Sequence, residues 1–239
     1  VRSSERHLGC GLPQGSHVGP FCFPPYSSTI GKIARKHGIK VHLYADDTQL
    51  YLAFYPQEGA AAVDQMMDCI DEIRNWMEAN MLKLNDSKTE FMVIASRHME
   101  SRLSDEVKSL RDGESMVEAA DSARNIGAVI DTRLSMEKHV NKITSACYFN
   151  LRNISKIRRN LTDEATVTLI QSLVISKLDS LNALLFGVPD KLKKKLQLVQ
   201  NQAARVIARI KQCEHITPVL KNLHWLPIHF RIEDRKSVV

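Results

Sequence analysis

The hydrophobic and polar positions fall into two rhythms, and these set the expected elements. The clearest helix covers residues 60–81, where Val63, Met66, Met67, Ile70, Ile73 and Met77 recur at three-and-four spacing with acids on the other face. That methionine-rich stripe reads as core packed against a sheet. Residues 30–38 form a basic helical stretch (Lys32, Arg35, Lys36) that stops at Gly38, as helices commonly do. Strand character marks residues 41–45, 49–54, 90–95 and 125–131, with Gly127 in the last run allowing close approach of a neighbour. Residues 82–88 are polar and turn-like, and residues 96–123 are charged and weakly periodic, as expected of a mobile insertion.

From Glu137 onward the period is helical throughout. Val140, Ile143, Cys147, Leu151 and Ile154 mark one helix. Leu169, Ile170, Leu173 and Val174 mark a second, with Thr162 as its cap and Asp163 and Glu164 in its first turn. A third starts near Asp190 and carries Leu192, Leu196, Val199, Ala203, Val206 and Ile210 as a single apolar seam. Its other faces hold Lys191, Lys193, Lys194, Lys195, Arg205, Arg209 and Lys211, so one side can be buried while another offers phosphate contacts.

The two strands at 41–54 flank Asp46 and Asp47, which reads as a hairpin with both carboxylates at its turn. Adjacent like charges repel unless a cation or basic group neutralises them. Hard divalent cations such as Mg²⁺ accept carboxylate oxygens together with substrate phosphates. Asp-Asp alone is also ordinary turn chemistry, because Asp caps its own backbone. Upstream, two glycines and a proline surround Gln14 (Gly11-Leu12-Pro13-Gln14-Gly15-Ser16, then Gly19-Pro20), permitting close backbone approach to a ligand and placing an amide beside it.

These two segments, in this order, resemble consecutive palm motifs of the reverse transcriptases of non-LTR (LINE-like) retrotransposons: Gly11-Leu12-Pro13-Gln14-Gly15-Ser16 and Tyr44-Ala45-Asp46-Asp47. The likeness continues through Lys88-Thr89-Glu90, Gly127, His139, the run Leu196-Gln197-x-Val199-Gln200-Asn201-x-Ala203-Ala204-Arg205, and Leu223-His224-Trp225-Leu226-Pro227. It implies RNA-directed DNA synthesis from an RNA template, a DNA primer and deoxynucleoside triphosphates, with two Mg²⁺ or Mn²⁺ ions. It implies metal ligation by Asp46, supported by Asp47. Tyr44 and Ala45 would flank the primer end, and Gly11, Pro13, Gln14, Gly15 and Ser16 would contact template and nucleotide. Lys88 would protonate the leaving pyrophosphate, although an ordinary exposed lysine reads the same way. Lys191, Lys193, Lys194, Lys195, Arg205 and Arg209 would hold the nucleic-acid backbone.

The chain also departs from that family. Ser16 should start a helix as its N-cap, yet Pro24 and Pro25 fall inside it, and an interior proline costs on the order of 3 kcal/mol and can break a helix. His17 stands where an aliphatic residue is usual, and Leu178-Asp179-Ser180-Leu181-Asn182 lacks the usual aromatic or cysteine. The two-metal mechanism needs a further carboxylate from a strand upstream of Gly11. Glu5 does not have the setting for it, so the expectation is a fragment that does not polymerise alone. The alternative is a catalytically dead remnant that binds RNA or DNA through its basic helices.

Composition narrows the rest. The 44% hydrophobic and 25% charged fractions over 239 residues are those of a globular protein, and no apolar run approaches the roughly 20 residues of a membrane span. The net charge of +6 is unevenly shared. Residues 1–137 carry 15 basic and 20 acidic side chains, a net −5, and residues 138–239 carry 18 and 7, a net +11, so nucleic acid is expected along the second half. Five scattered cysteines without a C-x-x-C pair indicate reduced intracellular thiols, with nucleus or cytoplasm left open. Cys213, His215, His224 and His229 match no tetrahedral zinc spacing. The expected fold is α+β: a partial polymerase palm of antiparallel strands with packed helices over residues 1–135, then an all-helical, thumb-like region over 136–239.

Overall fold

An isolated two-stranded hairpin is at best marginally stable in water, and the described residues form three, each leaning on a helix. The structure, a computed structural model, describes residues 16–112 and 115–236. The elements form two units, one ending at Ala120 and one starting at Asp121. The division lies ahead of residue 135, because the strands between 122 and 131 pack with the helix that follows them.

In the first unit, helix α1 (Gly19–Lys36) runs through Pro24 and Pro25 unbroken. The prolines occupy its exposed first half, where water can stand in for the two missing N–H donors; its buried residues, Ser27, Ile30, Gly31, Ile33 and Ala34, all lie in the second half. Its C-terminus is a Schellman turn: Gly38 takes φ +67°, its N–H donates to Arg35 O, and Ile39 N–H donates to Ala34 O at 2.9 Å. Ile39 is thereby driven into the core and the chain enters the first hairpin, β1 (Lys40–Tyr44) and β2 (Asp47–Tyr51). Helix α2 (Gly59–Ala79) lies against α1, and buries Ala62, Cys69 and Ile73. Glu72 ties the two helices, accepting from Lys36 Nζ at 2.8 Å and meeting His37 Nε2 at 2.7 Å.

Two expectations for this unit are corrected. Residues 90–95 form no strand; only Phe91 makes a bridge, to Ala119, because β-propensity without an aligned partner strand produces no ladder. Residues 96–123 are no loose insertion. After a short helix α3 (Arg97–Glu100) they build a 3₁₀ turn (Asp105–Lys108) and a hairpin, β3 (Ser109–Asp112) and β4 (Ser115–Glu118), clamped on α2 by Val107 and Leu110, which are 1% and 2% exposed. Gly59 permits this seating, since a Cβ there would lie 2.6 Å from Val107 Cγ2.

The second unit opens with a third hairpin, β5 (Ser122–Asn125) and β6 (Ala128–Asp131), where the sequence suggested one strand. Its two-residue turn has Ile126 at φ +44° and Gly127 at φ +88°, and both signs positive is what a type I′ connection demands. Gly127 is thus required by its backbone angle; the expected close approach is absent, because a Cβ there would sit 3.9 Å from Leu181, in ordinary contact. Asp131, 7% exposed, accepts from the N–H groups of Arg133 and Ser135 and from Ser135 Oγ, which turns the chain into α4 (Glu137–Ile157).

From there on every described element is helical: α5 (Asp163–Ile170), a π turn (Gln171–Ile175) running into α6 (Ser176–Asp179), α7 (Asp190–Ala208), α8 (Thr217–Asn222) and α9 (Ile228–Lys236). The Thr162 hydroxyl caps α5 by accepting from Ala165 N–H at 3.2 Å. The seams of α4 (Val140, Thr144, Cys147, Leu151, Ile154) and α7 (Leu192, Leu196, Val199, Ala203, Val206) share the four-three spacing and face one core, each fully buried Leu or Ile being worth about 1.5–3 kcal/mol. The seam expected to reach Ile210 stops at Ala208, where Arg209 takes a left-handed conformation. The architecture is α+β, antiparallel strands with packed helices followed by a helical region.

Candidate functional site

The apolar half of the first hairpin explains where its polar end points. Val41, Leu43 and Leu50 pack on the core of Ile30, Ile33, Ala34, Ile39, Cys69 and Ile73. With strand period two, the opposite face then presents Lys40, His42, Tyr44, Asp47, Gln49 and Tyr51, paired in register as Lys40 with Tyr51, His42 with Gln49 and Tyr44 with Asp47. The connection is the two residues Ala45 and Asp46, and Ala45 is held at φ +53°, a conformation non-glycine residues adopt rarely and mostly in turns. Asp46 therefore sits at the tip and Asp47 opens β2 beside Tyr44, which is 57% exposed.

Both carboxylates are exposed, and among the described residues neither has a hydrogen bond or ion pair. Two adjacent, uncompensated carboxylates with hard oxygen donors suit a divalent cation. Among the described residues no group of three or more His, Cys, Asp or Glu gathers to hold a metal, so the hairpin supplies two acids of a set that needs more. The companions His42 and Gln49 were not singled out in the sequence, although strict alternation from Asp47 would have placed Gln49 on its face.

The other expected site residues scatter. Gly11, Pro13, Gln14 and Gly15 lie outside the described residues. Ser16 is not the N-cap of α1, a position held by Val18, but two residues upstream its Oγ accepts from the first helical N–H, that of Gly19, at 3.1 Å. Lys88 ends an exposed 3₁₀ turn (Asp86–Lys88), and among the described residues no hydrogen bond or ion pair joins it to Asp46 or Asp47.

The six cations expected to hold backbone phosphates divide into two sets. Lys191 and Lys194 are exposed and unpaired among the described residues. Lys193 lies 3.4 Å from Asp190, Lys195 donates to Asn141 Oδ1 at 2.8 Å, and Arg209 faces Asp163 at 3.9 Å. Arg205 Nη2 reaches the carbonyls of Gln212 and Glu214 at 3.4 Å.

Two motifs with no evident purpose in the sequence turn out to hold each other. Gln200, fully buried, donates to Leu226 O at 2.8 Å, and Gln197 accepts from Ile228 N–H at 2.8 Å while donating to Gln200 Oε1 and Asn201 Oδ1. His224 carries the left-handed turn ending α8 (φ +54°), which swings Trp225 into the core over Leu220.

Burial sets the chemistry of several groups. Desolvation pushes the thiols of Cys69 and Cys147 up to about 11, so both are inert core residues. His139, 3% exposed, accepts Val129 N–H at Nδ1, and desolvation with nearby Lys142 holds it below its ordinary value. Burial raises the Asp131 carboxyl, but the hydrogen bonds from Ser135 and Arg133 outweigh it and leave the group below its ordinary value.

Comparison with known proteins finds one family: the model described as reverse transcriptase (RNA-dependent DNA polymerase) matches residues 2–130. That span holds the Gly11–Ser16 segment and the Asp46–Asp47 hairpin and ends before α4. No curated protein and no solved structure matches the chain. Among the described residues no helix is long and apolar enough to cross a membrane.

Proposed function

The chain belongs to the reverse transcriptase (RNA-dependent DNA polymerase) family, and on that premise we propose that it is the part of a non-LTR retrotransposon enzyme that presents the catalytic hairpin. The carrying observation is the pair Asp46 and Asp47, exposed, adjacent and uncompensated at a hairpin tip inside the matched span. Asp46 is the direct metal ligand and Asp47 completes the negative field. When bound there, Mg²⁺ or Mn²⁺ lowers the pKa of a primer 3′-hydroxyl and screens the triphosphate. Tyr44 and Ala45 flank the primer end, and the Gln14 segment contacts the forming base pair. Template RNA, primer DNA and deoxynucleoside triphosphates are the partners, and the basic helical unit carries the backbone.

Because the hairpin contributes only two carboxylates and no third acid joins them among the described residues, this reading has the chain alone fail to extend a primer. The test is primer extension on an RNA template with Mg²⁺ or Mn²⁺, alongside Mn²⁺ titration followed by paramagnetic broadening. The expected result is no extension, with broadening centred on residues 44–49 that Asp46→Asn weakens. Extension that vanishes in Asp46→Asn would overturn the claim of inactivity. Broadening indifferent to Asp46→Asn would remove the site. A remnant that only binds nucleic acid would show salt-sensitive binding and no Mn²⁺ at the hairpin.

A further inference from the structure

Between α4 and α7 lies a groove of about 510 Å³, a volume within the range of pockets that hold nucleotide-sized ligands. Leu151 and Leu198 give it an apolar wall, Tyr148 an aromatic face 44% exposed, and Arg152 and Arg205 two guanidinium groups. Gln202 and Gln212 add carboxamides, and no carboxylate lines it. Arg205 Nε–H is buried without an acceptor among the described residues, and Arg152 is exposed with no ion pair among them. Lys156, one turn beyond Arg152 on the same face of α4, is likewise exposed and unpaired among the described residues.

We propose that this groove binds one unpaired nucleotide of a single-stranded polynucleotide, the base stacked on Tyr148 and the phosphate held by Arg152 and Arg205. Each part of that ligand answers a feature of the groove. A base needs a flat apolar partner, which Tyr148 provides with Leu198 beside it, and its edge needs donors and acceptors, which carboxamides supply in both senses. A phosphate needs cations and no competing acid, which Arg152 and Arg205 supply along a groove lined by no carboxylate. Lys156 continues the positive line for the next phosphate. A duplex does not fit the same chemistry, since its bases are stacked on each other and closed to Tyr148. A free nucleoside monophosphate shares the chemistry but makes no use of Lys156. The proposal rests on the reading of the chain as a nucleic-acid enzyme and adds to it a grip for unpaired strand outside the matched span.

The test uses the full chain with labelled single-stranded RNA and DNA of about 12 nucleotides, an RNA duplex of the same length, AMP and polyglutamate, each titrated at several salt concentrations. Tyr148→Leu should weaken single-strand binding roughly tenfold without altering its salt slope, leave the duplex unchanged, and be rescued by Tyr148→Phe. Arg152→Gln should reduce the salt slope by about one. Unfolding midpoints equal to wild type establish that the variants fold. Single strands bound equally well by wild type and Tyr148→Leu, with duplex binding retained, would overturn the groove alone. AMP binding without polynucleotide binding would assign it to a free nucleotide and overturn the strand grip. Polyglutamate bound as tightly as RNA would reduce it to a charge patch. Indifference of the wild type to every nucleic acid would overturn the functional reading as well.

Discussion

Arg158 is the residue whose loss should most damage the helical unit. It is 7% exposed, in the turn after α4, and its guanidinium donates from Nε to Val206 O at 2.9 Å, from Nη2 to Ile207 O at 2.9 Å and from Nη1 to Leu161 O at 3.1 Å. Nη2 also pairs with Asp163. Two of these acceptors are carbonyls in the last turn of α7, which have no partner inside their own helix and sit at its negative end. Arg158→Met keeps most of the volume and removes every donor. An unsatisfied buried carbonyl costs about 1–3 kcal/mol, and three that partly rehydrate give about 3–5 kcal/mol in total. The ion pair itself contributes little of this, because Asp163 is 79% exposed and solvent screens it, so Asp163→Asn should change stability only slightly. The assay is urea unfolding followed by the fluorescence of Trp225, buried in this unit, in a Trp76→Phe background so that the other tryptophan is silent. A midpoint lower by roughly 2 M for Arg158→Met, against a small change for Asp163→Asn, is expected. Equal losses for the two would refute the argument, since they would show the charge pair and not the carbonyl cap to be the stabilising element.

The remaining predictions concern a pH window and a close contact. His139 has a folded pKa below its ordinary 6.5, so between the two values the unfolded chain holds the proton and the folded chain does not. Its contribution is therefore complete above about 6.5 and declines as pH falls below it; urea midpoints across this window should fall for wild type and stay flat for His139→Leu, which starts lower because Val129 N–H loses its acceptor. Gly59→Ala should destabilise the first unit by about 1–2 kcal/mol, outweighing alanine's helical preference, because the added Cβ meets the stiff, buried Val107. Amide exchange in α2 reads this, and the cost should shrink in a Val107→Ala background; an unchanged cost would show that the contact is not its source.

The parts of the fold that were legible in the sequence share one physical trait: their determinants lie within a few residues of each other. The hairpin holding Asp46 and Asp47, the stop at Gly38, the Thr162 cap and the seams of α2, α4 and α7 all follow from period, turn and cap chemistry. Misreadings arose where the deciding partner was distant. Residues 96–123 look featureless until Val107 and Leu110 find α2, and residues 90–95 have strand composition but no neighbour to pair with. At Ile126 and Gly127 the error was local, a turn hidden because isoleucine rarely occupies a left-handed position.

For the site, the amino-acid order by itself determined that two carboxylates share a turn and that the second half is basic, because adjacency and charge need no fold to be counted. Only the tertiary structure decided which other cations remain free, since Lys195 and Arg209 meet partners that packing delivers while Lys191, Lys194 and Arg152 do not; the Lys193–Asp190 pair follows from helix spacing alone. It alone set Gln197 and Gln200 against the segment after Trp225, and Arg205 in one groove with Tyr148 and Arg152, because such pairings are fixed by which helix faces meet across many residues of intervening chain.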